Sequence, residues 1–185
     1  MKFLKISIAL ILLITIFASC AGEKESTAVP SAIMAKIIGA VIPEKEVVDK
    51  MVYLEDGLLY NSDASEEDGR LSEGQISIFF GKLDGTNDFD VVESYSFWTS
   101  MEGVSTEMGI FKVGDITDTE KVVNFLKERV KTLENNAHGY KPEELQKAKN
   151  AVVETKGKYV YYFVTNINNV LVDTLKAEIE VNYVS

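Results

Sequence analysis

Between residues 106 and 164 the chain spells out a strand, a capped helix, a short second helix and a tight pair of strands, and this order constrains the fold most. Residues 106–113 read as a strand. Thr117, Asp118, Thr119 and Glu120 then have the Ser/Thr-x-x-Glu spacing of a capping box, in which hydroxyl and carboxylate satisfy reciprocal backbone donors. Val122, Leu126, Val130, Leu133 and Ala137 recur at intervals of four and three, which makes one apolar stripe on a long helix ringed by Lys121, Lys127, Glu128 and Lys131. Gly139 suits the left-handed residue after that helix, and Pro142 the first position of a short helix through Ala148. Residues 151–155 and 158–165 flank Lys156 and Gly157, which predicts a hairpin. Its second strand alternates Tyr159, Tyr161 and Phe163 with Val160, Tyr162 and Val164, so neither face is plainly polar.

Upstream, residues 91–99 have strand character, with Tyr95 and Phe97 on one face and Trp98 near the end, and they pair most simply with 106–113 across Gly103. Residues 31–41 form a helix capped by Ser31, striped by Ile33, Ile37 and Val41 and ended by Pro43. A second helix over 44–54 presents Val47, Val48, Met51 and Tyr53 or Leu54, with Glu44 and Glu46 near the positive end of its dipole. Residues 61–74 read as a polar loop, and 75–82, rich in Ile and Phe, as an extra strand before a turn at Asp84 and Gly85. A final helix over 168–179 carries Val170, Leu171, Leu175 and Ile179. The expected fold is α+β: a mainly antiparallel four-stranded sheet with helices packed on it, N-terminal helices and a polar insertion.

At the front, Lys2 and Lys5 precede residues 6–17, which are apolar apart from Ser7 and Thr15. A helix that spans a bilayer needs about 20 apolar residues, so this run suits a secretory signal over residues 1–19. Phe17, Ala18, Ser19 and Cys20 resemble the lipobox of bacterial lipoprotein signals, with Phe17 where leucine is usual. The resemblance implies cleavage before Cys20 and a diacylglycerol on its thiol. Cys20 is the sole cysteine, so an internal disulfide is impossible and a free thiol in an exported chain calls for an explanation. Acyl chains such as palmitate, at about 0.8 kcal/mol per buried methylene, would hold the chain to the extracytoplasmic face of the cell membrane. Residues 20–30 then read as lipidated cysteine and flexible tether, and 31–185 as a single α+β domain. Net charge is -10, and loss of Lys2 and Lys5 leaves 17 basic against 29 acidic residues, or -12. Nucleic acid is therefore not an expected partner, and the folded part relies on its anchor rather than on anionic lipid.

The run Glu107, Met108, Gly109, Ile110, Phe111, Lys112 and Val113, the capped helix with Arg129, then Tyr140, Pro142, Glu143, Asn150, Ala151, Val152 and Val153, and finally Gly157, Tyr159 and Val160, resembles domain-of-unknown-function family 4358. The resemblance covers roughly the C-terminal half and, weakly, the helix from Ser31, and it departs over 61–90. That family comprises small predicted bacterial lipoproteins, so the resemblance implies an anchored extracytoplasmic domain and brings no activity with it.

A catalytic reading needs a nucleophile, a base and a group that stabilises charge. His138, the single histidine, sits at the end of the long helix, where its imidazole suits the negative end of the dipole, and capping is its expected role. The acidic runs that start at Asp63 and Asp84 place Asp68 and Phe89 where a calcium loop needs glycine, and Gly74 and Tyr95 where it needs glutamate. They read as solvated turns, and neither metal nor cofactor is expected. Arg129, Glu143 and Glu144 near Tyr140 read as surface ion pairs worth about 0 to 1 kcal/mol each. Trp98, Tyr159, Tyr161 and Phe163 form a candidate binding surface if helices cover one sheet face only, and core if they cover both. The expected function is that of a non-enzymatic envelope lipoprotein that binds an unknown envelope protein or plays an accessory part. The alternatives are a small-ligand module with a cleft beside the aromatic sheet and a hydrolase built from dispersed carboxylates.

Overall fold

The computed structural model describes residues 25–41, 57–64, 69–81, 88–100, 105–138 and 141–183. Among these, five antiparallel strands form one open sheet in the order β1-β2-β3-β5-β4: β1 (Leu58–Asn61), β2 (Val92–Thr99), β3 (Glu107–Val113), β4 (Val152–Lys156) and β5 (Tyr159–Val164). Five α-helices accompany them: α1 (Pro30–Val41), α2 (Glu73–Phe80), α3 (Thr119–Ala137), α4 (Pro142–Lys149) and α5 (Asn168–Val181). The α+β class stands, and the sheet has one strand more than the four expected. The additional strand β1 pairs Leu58 with Thr99 and Asn61 with Ser96; four residues are too short a run to announce themselves by alternation.

Helices cover both faces of the sheet. On one, Phe97, Phe111, Val160, Tyr162 and Val164 pack beneath Phe80 of α2 and Val122, Phe125, Leu126 and Leu133 of α3, with Ala148 of α4 at the margin. On the other, Trp98, Met108, Ile110, Tyr159, Tyr161 and Phe163 meet Ile33, Met34 and Ile37 of α1 and Leu171, Leu175 and Ile179 of α5. This explains why β5 shows no polar face: all six of its residues are buried. The four aromatic residues named as a candidate binding surface are therefore core, with Trp98 the least buried of them at 3% exposed.

Several local expectations shift for identifiable reasons. Residues 75–80, expected as the body of a strand, belong to the helix Glu73–Phe80 because Ser72 and Gln75 make a capping box, each side chain accepting from the other's backbone N–H, while Ile76, Phe79 and Phe80 lie at helical spacing toward the core. At the start of α3 the cap is displaced: the Asp115 carboxylate accepts from the Thr117 N–H at 2.9 Å, Ile116–Asp118 wind as a 3-10 turn, and the α-helix begins at Thr119. The two residues between β4 and β5 are Gly157 and Lys158, one position later than expected, and Gly157 takes φ 56, which a glycine adopts without steric cost. Val170 is exposed and Val172 takes its place against the sheet. Ser31 lies within α1 and donates to Asp63 Oδ2 at 2.6 Å instead of capping.

The end of the expected tether is packed onto the fold. Ser26 forms a bridge with Tyr183, the Thr27 N–H donates to the Asn182 carbonyl at 3.0 Å, and the Tyr159 hydroxyl lies 2.6 Å from the Ala28 carbonyl oxygen and 3.1 Å from that of Ser26. Ser26 is buried in this contact, while Glu25 and Thr27 bond the domain from its surface. The predicted signal over 1–19, Cys20, the helix predicted over 44–54, Val41's side chain, Tyr140 and the turns at Gly85, Gly103 and Gly139 lie outside the described residues.

Gly109 sits in the middle of β3 directly opposite Tyr162, and a Cβ there would come within 2.4 Å of the Tyr162 ring and 2.5 Å of the Phe111 ring. Gly109→Ala is expected to cost about 1 to 3 kcal/mol through overpacking, read as a lower urea midpoint with an unchanged slope. Gly114→Ala, where a Cβ meets nothing within 4 Å, is the control and is expected to stay within about 0.5 kcal/mol of the parent.

Candidate functional site

The first residue of β3 is an acid in a strand whose one other charged residue is Lys112, and its side chain points to the face beneath α3. Glu107 is 1% exposed. A carboxylate taken out of water survives as an ion only if each oxygen finds donors. Arg129, one helical turn short of Leu133, supplies a two-pronged pair, with its Nε 3.0 Å from Glu107 Oε2 and its terminal nitrogen on Oε1. Tyr162 donates its hydroxyl to Oε2 at 2.7 Å and Thr99 to Oε1 at 3.0 Å. The guanidinium also lies over the Phe79 ring, 5.0 Å from its centroid. β2, β3, β5, α2 and α3 thus meet at one ionic centre. Burial, and after it the Glu107 charge, pushes the Tyr162 hydroxyl well above the usual tyrosine range, so it is a proton donor there.

A second buried pair holds Ser105 and Thr106, the two residues just before Glu107. Lys147 of α4 sits 3.0 Å from Glu144, one turn before it, and donates to Thr106 Oγ1 at 2.8 Å, while the Ser105 N–H donates to Glu144 Oε2 at 2.6 Å. It fastens α4 to the entry of β3. Among the described residues every fully buried side-chain nitrogen and oxygen has a hydrogen-bond partner, so neither cluster holds an orphaned buried polar atom.

The other end of the sheet is built differently. The β4–β5 turn, the docked segment at Glu25 and Ser26, Ile116 and Tyr183 surround a cavity of about 360 Å³ whose base includes Tyr159. Its rim is ionic: Lys158 bonds Glu25 at 2.8 Å and Lys156 bonds Glu180 at 2.6 Å. These bonds hold the Glu25 and Glu180 carboxyls below the usual range. A wider open groove of about 1520 Å³ runs along α3, between Ile78 and Phe80 of α2 and Val153 of β4. Gly81 and Asp88 also line it.

Of the residues singled out from sequence, the structure brings Trp98, Tyr159, Tyr161 and Phe163 together, but beneath α1 and α5. Tyr161 donates to Glu154 Oε2 at 2.9 Å at the margin of that layer. His138 follows the last residue of α3 and is exposed, at the helix end where it was expected. Arg129 and Glu144 are not surface ion pairs. Each has a buried partner outside the group considered: Glu107 for Arg129, 22 residues away in sequence, and Lys147 for Glu144, one helical turn on. Among the described residues no cluster of three or more His, Cys, Asp or Glu side chains could hold a metal ion, and no helix is long and apolar enough to cross a membrane.

The chain matches the family model described as Domain of unknown function (DUF4358) over residues 85–165. That stretch contains Thr99, Ser105, Thr106, Glu107, Arg129, Glu144, Lys147 and Tyr162, the hydrogen-bonded members of both buried networks, while Phe79 beneath the guanidinium lies before it. No curated protein and no solved structure matches the chain.

Two measurements probe the ionic centre. Arg129→Met is expected to cost about 3 to 5 kcal/mol by leaving the Glu107 carboxylate buried and unpaired, and Glu107→Met combined with Arg129→Met to recover much of the loss, read by urea unfolding. Alkaline pH is the second probe. Burial is the first cause that raises the hydroxyls of Tyr95, Tyr159, Tyr161 and Tyr162 in the folded state. In the unfolded chain tyrosines ionise near pH 10, so above about that pH the folded state holds more protons than the unfolded one. This contribution is complete below about pH 10 and declines as the pH rises further, so the urea midpoint is expected to fall between about pH 8 and about pH 11, and to fall less in Tyr162→Phe.

Proposed function

From a DUF4358 match that spans residues 85–165 and names no activity, we propose that the chain is a lipoprotein. In this reading a diacylglyceryl group on the Cys20 sulfur holds it to the extracytoplasmic face of a bacterial cell membrane, where it serves the envelope as a non-enzymatic partner-binding or accessory component. The observation that carries the proposal is the succession Phe17, Ala18, Ser19, Cys20 directly after the apolar run of residues 6–17, in a chain with no other cysteine. The buried chemistry supports the non-enzymatic part. Glu107 and Glu144 are the buried carboxylates among the described residues, and each is neutralised by its own cation rather than set against the other. A hydrolase of dispersed acids would need two carboxylates that face a shared substrate space.

One observation favours a second reading. The cavity of about 360 Å³ beside Tyr159 lies within the size range of small-molecule sites and sits at the end of the aromatic sheet. A small-ligand module would bind there. Amide shifts at Gly157 and Tyr183 on titration with a fragment library, with none along α3, would favour it over an accessory role.

Cys20→Ala is expected to move the protein from the membrane fraction to the soluble one, and intact mass of the parent to show a diacylglyceryl group on an N-terminal Cys20. Membrane retention of the variant, or a free thiol in the parent, would sink the proposal.

A further inference from the structure

We infer that the domain is held against the lipid by one particular end. The end of the sheet that carries the β4–β5 turn faces the membrane, and the pole with Glu107 and Glu144 points away from it. The inference rests on acylation of Cys20 and adds to it where the folded part must lie.

Chain length sets the argument. From Cys20 to Glu25 there are five residue steps, which at about 3.6 Å each span at most about 18 Å. Glu25 and Ser26 are not free to follow the chain about. Ser26 is 3% exposed, bridged to Tyr183 and bonded through its hydroxyl to the Ile179 carbonyl at 2.9 Å, and Glu25 is paired with Lys158 in the turn. The sheet register places the ends of the elements: Lys112 pairs with Tyr159 and Lys156 with Tyr159, so the close of β3, the close of β4 and the start of β5 lie at this end. α3 starts here too, and its 19 residues run about 28 Å to the opposite pole. A tether of about 18 Å cannot carry the lipid that far.

The surface at this end suits a headgroup layer. Ile116 is 40% exposed and Val181 79%, and Lys156 and Lys158 stand beside them with Glu180 and Glu25 as counterions. Glu93, Asp115 and Asp118 also lie at this end, so charge does not draw it to anionic lipid. The approach is imposed by the short tether and aided by the apolar side chains, and beyond a Debye length of about 8 Å the like charges are screened.

The test uses the full acylated chain, purified from membranes and reconstituted in vesicles whose lipids carry a nitroxide on the headgroup. The thioether at Cys20 leaves no thiol, so Ile116→Cys and Asn136→Cys each offer a single labelling site, at the near end and at the far end of α3. The probe at 116 is expected to lose its fluorescence to the headgroup quencher and the probe at 136 to keep it. Equal loss at both positions, or greater loss at 136, in protein that floats with the vesicles would overturn the orientation alone. Protein that fails to float would overturn the anchor instead. Inserting about 20 Gly and Ser residues after Lys24 lengthens the tether to an r.m.s. span of roughly 25 to 30 Å and is expected to relieve quenching at 116 while flotation persists. Undiminished quenching there would show that the tether does not set the orientation.

Discussion

An antiparallel sheet whose inner strands are apolar on both sides has to be covered twice, and most of this architecture follows from that demand. β5 has no residue that water can reach, and β3 has only Lys112 part-way out. On the face beneath α1 and α5, six large side chains from β2, β3 and β5 are buried, each worth about 1.5 to 3 kcal/mol against exposure. Their sum rivals the whole net stability of a domain, about 5 to 15 kcal/mol. The second helical layer is thus a condition of folding, and the chain supplies it from its two flanks: α1 before the sheet begins and α5 after it closes. Lys36 of α1 and Glu178 of α5 join the two helices across the outside of that layer.

Within so apolar an interior, the Glu107 and Arg129 pair is costly to place and tightly specified. It needs Tyr162 and Thr99 as further donors, and Tyr162 reaches the carboxylate only because Gly109 leaves room for its ring between Phe97 and Phe111. A slip of one residue between β3 and β5 would turn Tyr162 to the other face and strand the carboxylate. The ionic centre therefore acts on register more than on net stability. Its place in the family-matched stretch, together with the adjoining Glu144 and Lys147, ties the strands and helices of residues 85–165 into one arrangement.

Much of this was legible where a period runs long enough to count. The stripe from Val122 to Ala137 lies in α3 as read, with Val122, Leu126, Leu133 and Ala137 buried; β2 pairs with β3 as expected, and β4 with β5 across a connection one residue later than expected. Short elements were not legible. β1 is four residues long, and residues 75–82 read as a strand because Ile and Phe dominate them, although Ser72 and Gln75 have the spacing of a cap and 73–80 are helix. The networks escaped for another reason: an ion pair between Glu107 and Arg129 joins residues 22 apart in sequence, and no local pattern encodes it. The aromatic face could not be assigned from sequence, since whether Tyr159 and Tyr161 meet solvent depends on where two distant amphipathic helices dock.

The family match and the folded unit do not coincide, and the difference bears on how fold and location are joined. Residues 85–165 hold four of the five strands with α3 and α4, but neither helix of the second layer. That layer is closed at its edge by the segment at Ser26 and Ala28, clamped between Tyr159 and the end of α5. The same few residues are the last of the domain before the chain turns toward Cys20. A pull along that segment would act first on the Ser26–Tyr183 bridge and the Tyr159 hydrogen bonds, hence on the cover of the aromatic face. The fastening that completes the core and the one that would set the domain's distance from a membrane are therefore the same piece of chain.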